Sequence, residues 1–525
     1  MDVPNLIHLP LEILLQIGGH VLSNNPSHTG LSIWHRYQGS LASLVLTCKT
    51  LNVTFTPLMY RYPVTTALPR LARTLIERPD LAALVKNAQL RLYPGLPAVR
   101  GEDGTKSWCI TPEDAACLNL QARKSFEAGQ VEPIESKTFS KKKTWDRGYY
   151  PSHESRMLIR RLLLDQCTNV ERLDIELDIK DEVLFPTAPK LSKQSHVEEM
   201  VFRWLRDHSN YEGSNDTYLT DSLGTFIRKA KALRTLSMHK LATSYMPHTL
   251  RSTSVTELVL QQSLMTSNVL EDILASFPSL TTFRYLLDLE DVWMLDGMMN
   301  DAVMPEELVR ILESHSAKHP EFKLRTLSLT WTDQDMRNFS FSSMGGYADE
   351  SDIPRVASFR GLQHLEKVCL GEAGHVLGPG ATDAQWAFFF PASVQVIEIG
   401  LLSRLPDLSL LLGVAHRYPN LKSFKYGGYF HESKAAALQL QFKAKGIKLE
   451  FNEERLFPDS IELDYSDDEA ETSDGNTGQD DNHDDNGNEA ESSDGNTGEE
   501  DDHDHYNDDE EDQGVISDSS VIEMD

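Results

Sequence analysis

Residues 324–329 read LRTLSL, a pattern with apolar residues at the first, fourth and sixth positions. In a strand the last two leucines point to one face, and the residue between them points to the other face. With Val, Ile, Phe, Tyr or Met as substitutes, the pattern begins at residues 170, 233, 255, 280, 324, 365, 394 and 421. The sequence therefore predicts short strands that belong to one recurring unit.

The spacing of these strands is typical of a repeat protein. Successive patterns begin 63, 22, 25, 44, 41, 29 and 27 residues apart, and leucine-rich repeats span about 20–29 residues. Helical segments at 269–277, 306–319 and 408–418 are each followed by a proline and then a strand. A unit that cannot bury its own apolar face stacks on its neighbours. We therefore expect the fold class to be α/β, with residues 154–458 forming an irregular solenoid that resembles a leucine-rich-repeat protein.

The resemblance is to a degenerate member of that family. Leucine-rich repeats place Asn or Cys three positions after the last leucine. In this chain Leu241, Ser263 and Thr332 are among the residues at that position. An ordinary α/β domain with periodic strands is the alternative interpretation.

Residues 6–62 predict three short helices joined by a polar loop. Pro10 and Glu12 suit the first turn of a helix, which lacks intrahelical acceptors for its N–H groups and carries the positive end of the dipole. The blocks LPLEILLQI (9–17), LASLVLTCKTLN (41–52) and PLMYR (57–61) follow in order. A unit of so few residues can enclose only a small apolar core. We therefore expect part of its apolar surface to be exposed and to be covered by a partner.

These three blocks resemble the F-box, assigned here to residues 1–62. The resemblance implies docking on a Skp-type adaptor of a cullin–RING ubiquitin ligase. The loop between the first two helices is longer than in the family, an insertion that costs little closure entropy. The alternative is a helical cap on the downstream domain. By the resemblance, the adaptor-binding residues are Leu9, Pro10, Glu12, Ile13, Leu14, Ile17, Leu41, Leu44, Val45, Cys48 and Lys49.

Two segments connect the F-box-like region to the predicted solenoid. Residues 63–97 contain a helical pattern from Leu68 to Ile76 and an apolar, strand-like run at 84–90. Residues 98–153 are polar and rich in turn formers, with three lysines at 141–143. We predict a connector for the first segment and a polar loop or insertion for the second.

The residues between the strand leucines are expected to face the concave side of the solenoid and to contact a protein substrate. Their charges are mixed and include no arginine cluster, which argues against a phosphate-dependent recognition motif. The full set is Arg172, Asp174, Glu176, His239, Glu257, Arg284, Thr326, Ser328, Lys367, Glu398 and Lys425. The candidate substrate-binding residues are Arg172, Asp174, His239, Arg284, Lys367 and Lys425.

The net charge of −30 is concentrated in the C-terminal residues. Residues 459–525 hold 28 of the 80 acidic residues and none of the 50 lysines and arginines, which leaves the remainder of the chain at −2. Low hydrophobicity with high like charge predicts a disordered tail. A near-neutral body argues against binding nucleic acid through its phosphates. The tail also supports an alternative function, a non-ligase scaffold or acidic chaperone-like protein that attracts basic partners.

The sequence predicts a protein without catalysis, cofactor or bound metal. No Walker A motif, H-E-x-x-H pair or G-x-S-x-G elbow occurs, and the five cysteines contain no C-x-x-C spacing. We expect free thiols, no membrane span and a cytoplasmic or nuclear location. The predicted function is that of a non-enzymatic substrate receptor, which joins the Skp-type adaptor and the cullin scaffold to an unknown protein substrate.

Overall fold

A computed structural model describes most of the chain up to residue 457. The described residues are 10–22, 40–63, 68–90, 110–125, 153–177, 196–204, 221–243, 250–287, 303–331, 356, 358–372, 388–401, 418–427, 430–452 and 456–457. The predicted disorder of 459–525, the lysines at 141–143, most of the helical segment at 408–418 and Leu9 lie outside them.

Three helices form the N-terminal part, as the sequence predicts. They are α1 (Leu11–Leu22), α2 (40–47) and α3 (Lys49–Arg61). The carbonyl of Pro10 accepts hydrogen bonds from the N–H groups of Ile13 and Leu14 at the start of α1. Their shared apolar core is small and consists of Leu14, Leu41, Val45, Leu51 and Phe55. This core is separate from that of the remaining chain.

Four helices follow before the repeats become regular. They are α4 (Leu68–Glu77), α5 (Pro79–Ala82), α6 (Pro112–Ser125) and α7 (His153–Gln166). The predicted helix at 68–76 is confirmed. These helices contribute buried residues to the same core as the strands.

Residues 98–153, predicted as a polar loop or insertion, contain the helix α6. Thr111 and Asp114 cap this helix reciprocally: the N–H of Asp114 donates to Thr111 Oγ1 at 3.1 Å, and the N–H of Thr111 donates to Asp114 Oδ2 at 3.2 Å. Asp114 is buried and lies 2.9 Å from Arg73 Nη1. Ala115 and Leu118 are buried on the same helix. The apolar stripe is too short for sequence periodicity to reveal.

One long sheet runs through residues 87–451. Its strands lie in sequence order, and every neighbouring pair is parallel. They are β1 (Asn87–Leu90), β2 (Arg172–Leu177), β3 (Glu199–Trp204), β4 (Thr235–His239), β6 (Glu257–Gln261), β8 (Thr282–Leu286), β9 (Thr326–Thr330), β10 (Lys367–Glu372), β11 (Val396–Leu401), β12 (Ser423–Tyr426) and β14 (Lys448–Phe451). Sequential order with parallel pairing is what stacked helix–strand units produce.

Two short strand pairs and four further helices complete the described part. β5 (Ala242–Thr243) pairs with β7 (Leu264–Met265), and β13 (Phe430–His431) pairs with β15 (Leu456–Phe457). The helices are α8 (Asp221–Lys229), α9 (Ser267–Ser276), α10 (Pro305–Lys318) and α11 (Glu432–Ala444). Each of these helices contributes buried side chains to the core behind the long sheet.

All eight predicted strands are confirmed, and their leucine positions stack in register. Leu327 pairs with Val368, for example, and Val368 pairs with Ile397. The pairing of β1 with β2 starts the sheet before residue 154, so the connector belongs to the repeat domain. The molecule is therefore a mixed α/β protein with a long parallel sheet, and it resembles a solenoid of the leucine-rich-repeat type.

Candidate functional site

The surface of the N-terminal helices carries an unusual share of exposed apolar side chains. Leu46 is 84 % exposed, Val53 68 % and Leu11 54 %, and Ile13 and Leu15 are exposed as well. Isolated exposed apolar residues are common on proteins, whereas several on one small unit mark an interaction surface. We call these five residues the exposed apolar set.

The structure divides the predicted adaptor-binding residues into three groups. Leu14, Leu41 and Val45 are buried in the core of the helices, and Leu44 and Cys48 pack against it. These five stabilise the unit from inside rather than forming its surface. The exposed members are Pro10, Glu12, Ile13 and Lys49. Leu9 and the side chain of Ile17 lie outside the described residues.

Sequence reasoning missed Leu11, Leu15, Leu46 and Val53, the other members of the exposed apolar set. The segment from Leu11 to Ile17 is apolar at most positions, so periodicity alone does not identify which side of α1 is buried. The surroundings of Gly18 show which side is buried, because a Cβ on Gly18 would lie 2.6 Å from Leu58 Cδ1 and 2.9 Å from Phe55 Cε1. That side of α1 therefore packs closely on α3.

The second candidate surface is formed by strand residues of the long sheet whose side chains point away from its apolar core. We call it the open face. Its register alternates with that of the core, as in β6 and β9, where leucines are buried and the intervening residues are half-buried. Charged residues stand here in neighbouring strands, and most of them pair with one another.

On β1 to β6 the open face is acidic, and its charged side chains contact one another across neighbouring strands. Arg172 Nη1 lies 3.1 Å from a carboxylate oxygen of Glu199, and Arg203 Nε lies 3.0 Å from Asp174 Oδ1. Arg203 Nη1 also lies 2.7 Å from His239 Nδ1; because a guanidinium only donates, this contact requires Nδ1 to accept. Burial raises the pKa of Glu199, although Arg172 opposes the shift.

The carboxylate of Asp174 is almost fully enclosed, with only 1 % of its side chain exposed. Glu176 is buried too. Counting strand residues of the open face from β1 to β6, two cations stand against four carboxylates, a net charge of −2. We call this part the acidic half. Its charges are Arg172, Arg203, Asp174, Glu176, Glu199 and Glu257.

From β8 to β14 the open face is more accessible and basic. Arg284 Nε lies 3.0 Å from Glu257 at the boundary, Lys367 Nζ lies 2.9 Å from Glu398, and Lys448 pairs with Glu450. Lys425 is exposed. We call this part the basic half, with four cations, two carboxylates and a net charge of +2.

Cys369 lies among these charges but is not a reactive thiol. Burial, with the nearby carboxylate of Glu398, raises the pKa of Cys369 to about 12. The thiol donates to Glu398 Oε2 at 3.0 Å. A thiol with so high a pKa is protonated near neutral pH and is a poor nucleophile. Cys369 thus acts as a hydrogen-bond donor that helps to fix Glu398.

The candidate substrate-binding residues fall into two separate groups on the sheet. Asp174 and His239 contact the same arginine, Arg203, and Arg172 lies beside them. Arg284, Lys367 and Lys425 stand on β8, β10 and β12. Eight inter-strand steps separate β2 from β12, a distance of roughly 40 Å at about 4.8 Å per strand. Sequence reasoning missed Arg203 and Glu199 because it did not predict β3.

No group of His, Cys, Asp and Glu that could hold a metal ion occurs in the described part of the chain. Within the same residues, no helix is long and apolar enough to span a bilayer.

Among known proteins, only solved structures give a likeness, and the likeness described here is weak. No family model and no curated protein matches the sequence. Among solved structures, an internalin (InlF) from Listeria monocytogenes strain 4b F2365 is similar over 55 % of this chain and 81 % of the internalin chain. Identity is 11 % and the TM-score is 0.20. The description of the fold as a solenoid rests on the strand order.

Proposed function

We propose that this protein is a substrate-recognition subunit of an SCF-type cullin–RING ubiquitin ligase. Its N-terminal helices dock on a Skp-type adaptor, which joins it to the cullin scaffold, and its open face binds a protein substrate. Under this proposal it acts in the cytoplasm or the nucleus. The observation that carries the proposal is the exposed apolar set on a helical unit with its own core.

The docking part of the proposal rests on two independent features of residues 10–61. The sequence blocks in this region resemble the F-box, and the helices expose Leu11, Leu46 and Val53 to solvent. Covering apolar surface contributes about 25 cal/mol for each Å² removed from water. An adaptor that covers the exposed apolar set gains this free energy, whereas the isolated helices do not.

The recognition part rests on the open face of the solenoid. Rows of side chains from successive strands present a largely polar surface, and solenoids use such extended surfaces for binding. A subunit of this kind needs no catalytic group, because it raises the effective concentration of the substrate near the conjugating enzyme. Holding two partners at once is sufficient for that role.

Co-purification with a recombinant Skp-type adaptor tests the proposal. Leu46→Glu places a charge on the most exposed member of the set and leaves the core of the helices intact. We expect it to reduce recovery of the adaptor at least tenfold, since burying an unpaired carboxylate at an interface costs several kcal/mol. Leu440→Glu is the matched control, because Leu440 is 69 % exposed on α11.

Two results would contradict the proposal. The first is failure of the intact chain to bind any Skp-type adaptor. The second is equal loss of binding in Leu46→Glu and Leu440→Glu, which would indicate a general effect of the added charge. Unchanged thermal unfolding of both variants shows that the helices and the solenoid are still folded.

A further inference from the structure

We propose that the basic half of the open face binds an extended acidic segment of a partner protein. The carboxylates of that segment pair with Arg284, Lys367 and Lys425. The identification of this partner as the ligase substrate rests on the proposed function. The binding surface itself does not depend on the adaptor, so the two are tested separately.

The two halves of the open face differ in accessibility as well as in charge. In the acidic half, Asp174 and Glu176 are buried, and Arg203 is already occupied by Asp174 and His239. In the basic half, the side chain of Arg284 is 47 % exposed and Lys425 is exposed. A partner can therefore reach the cations of the basic half without displacing buried charges. Complementary charge across the contact favours an acidic partner.

The cations of the basic half stand on alternate strands in two neighbouring rows. Arg284 and Lys425 are level with Cys369, and Lys367 lies two residues earlier along β10. Arg284, Lys367 and Lys425 stand on β8, β10 and β12, which are alternate strands of the sheet. Alternate strands lie about 10 Å apart. A segment in the extended polyproline II conformation advances about 3.1 Å per residue with three residues per turn, so acidic residues three positions apart lie on one side of it at about this spacing. About seven or eight residues would cross the strands from β8 to β14.

One cation of the basic half is available for a new partner. Within the described residues no carboxylate lies within 4.0 Å of the Lys425 ammonium, although Lys425 helps to lower the pKa of Glu398. Glu398 already accepts from Lys367 and from Cys369. Glu398 is thus the internal competitor for an incoming carboxylate, and Lys425 is the most direct anchor.

The neighbouring row of the open face carries no side chains over three adjacent strands. Gly371, Gly400 and Gly427 follow the charged rows of β10, β11 and β12. A Cβ on Gly400 would lie 1.6 Å from the carbonyl oxygen of Gly371, so the glycine is required by the close approach of the two strands. Because these three glycines have no side chains, they leave a shallow groove beside Lys425 in which the backbone of a bound segment can lie.

Direct binding to the full-length protein tests the inference. The probe is a fluorescein-labelled peptide of about ten residues with Glu at every third position and Ser and Gly between. Fluorescence anisotropy is followed at about 0.05 M and about 0.3 M salt, because exposed ion pairs weaken as the Debye length shortens. Peptides with Gln or Lys in place of Glu are the controls.

Three variants separate a specific surface from general attraction. Lys425→Glu should weaken binding of the acidic peptide about five- to tenfold, because it removes an exposed ion pair with the peptide and adds repulsion between two carboxylates. Glu398→Gln keeps an acceptor beside Lys367 but removes the competing charge, and it should tighten binding about threefold. Lys443→Glu changes the net charge equally at an exposed position of α11 and should leave the affinity within twofold.

The inference is overturned if Lys425→Glu and Lys443→Glu weaken binding equally, or if the Gln peptide binds as tightly as the Glu peptide. It is also overturned if the acidic peptide shows no saturable binding to the protein with or without residues 459–525. Tighter peptide binding after removal of 459–525, lost again in Lys425→Glu, would instead assign the basic half to the acidic residues of this chain. Co-purification with the adaptor tests the proposed function in a separate experiment, and its result does not depend on whether the peptide binds.

Discussion

The N-terminal helices and the solenoid differ in how completely they bury their apolar side chains. Among the described residues, eight large apolar side chains are exposed, and five of them lie on α1, α2 and α3. The other three, Leu120, Phe388 and Leu440, are dispersed over the longer part of the chain. In the solenoid each unit is covered by the next. Among the described residues no further repeat covers the outer surface of the three short helices, and under the proposed function a Skp-type adaptor covers it.

Contacts at the end of α3 join the two parts. The N–H of Lys86, just before β1, donates to the carbonyl of Arg61 at the end of α3 with an N···O distance of 3.0 Å. Tyr60 packs against the core of the solenoid. The helices are thus attached to the start of the sheet, while their own core remains distinct. This arrangement predicts that the helices lose their structure more readily than the sheet.

Truncating one phenylalanine in each core gives the largest expected effect. Phe424 and Phe55 are both fully buried, in the solenoid and in the helices respectively. Phe424→Ala should lower the free energy of global unfolding by about 4 kcal/mol. Phe55→Ala should cost about 3 kcal/mol, but the loss should be confined to the helices, because their core is separate.

Denaturant unfolding combined with hydrogen exchange measures both effects. For Phe55→Ala we expect faster exchange in 11–61 and unchanged exchange in the strands of the sheet. Equal acceleration of exchange in the sheet would show that the two cores unfold as one unit. The adaptor should also fail to bind Phe55→Ala, whereas Phe424→Ala should retain binding as long as it is folded.

A smaller effect concerns the acid sensitivity of the solenoid. His315 on α10 is buried, its ring lies 4.5 Å from that of His319 and 4.7 Å from that of Phe322, and burial lowers its pKa to about 4. The charges of His319 and Lys318 contribute to this lowering of the pKa, and the charge of Glu321 opposes it. Between pH 6.5 and 4 the unfolded chain therefore binds a proton that the folded chain does not. Stability falls as the pH falls through this range, by at most about 1.4 kcal/mol per pH unit.

Comparing the wild type with His315→Phe from pH 7 to pH 4 isolates this contribution from that of the carboxylates. The wild type should lose more stability than the variant over that range. Parallel pH profiles would mean that His315 does not titrate differently in the folded and unfolded chain. His319→Gln removes only a smaller contribution to the lowered pKa of His315, so it should retain most of the wild-type loss of stability.

Much of the solenoid is predictable from its sequence because apolar spacing reports burial directly. β3 was missed although Val197, Met200 and Phe202 keep the spacing of the pattern and divide the 63-residue interval. β1 and β14 were missed as repeat strands because Ala88 replaces a large apolar residue in the stacked register and Gly446 occupies the first position of the pattern, three residues before Leu449. Small residues are tolerated at these positions because side chains of the neighbouring strands fill the core around them.

The charges of the open face were harder to predict than its location. Alternation along each strand identified Arg284, Lys367 and Lys425 as outward-facing. The pairing of Arg203 with Asp174 depends on which strands are neighbours, and that order was not known for β3. For the helices, the sequence predicted the three-helix unit but not its surface, since α1 carries apolar residues on its exposed side as well as on its buried side.

Hydrogen exchange of the full-length protein with and without a saturating Skp-type adaptor tests the central claim most directly. We predict strong protection of the backbone in 11–22 and 40–61 and no change in the strands from β2 to β14. Protection of the sheet instead of the helices, or no protection in either region, would contradict the assignment of the N-terminal helices as the adaptor-docking unit.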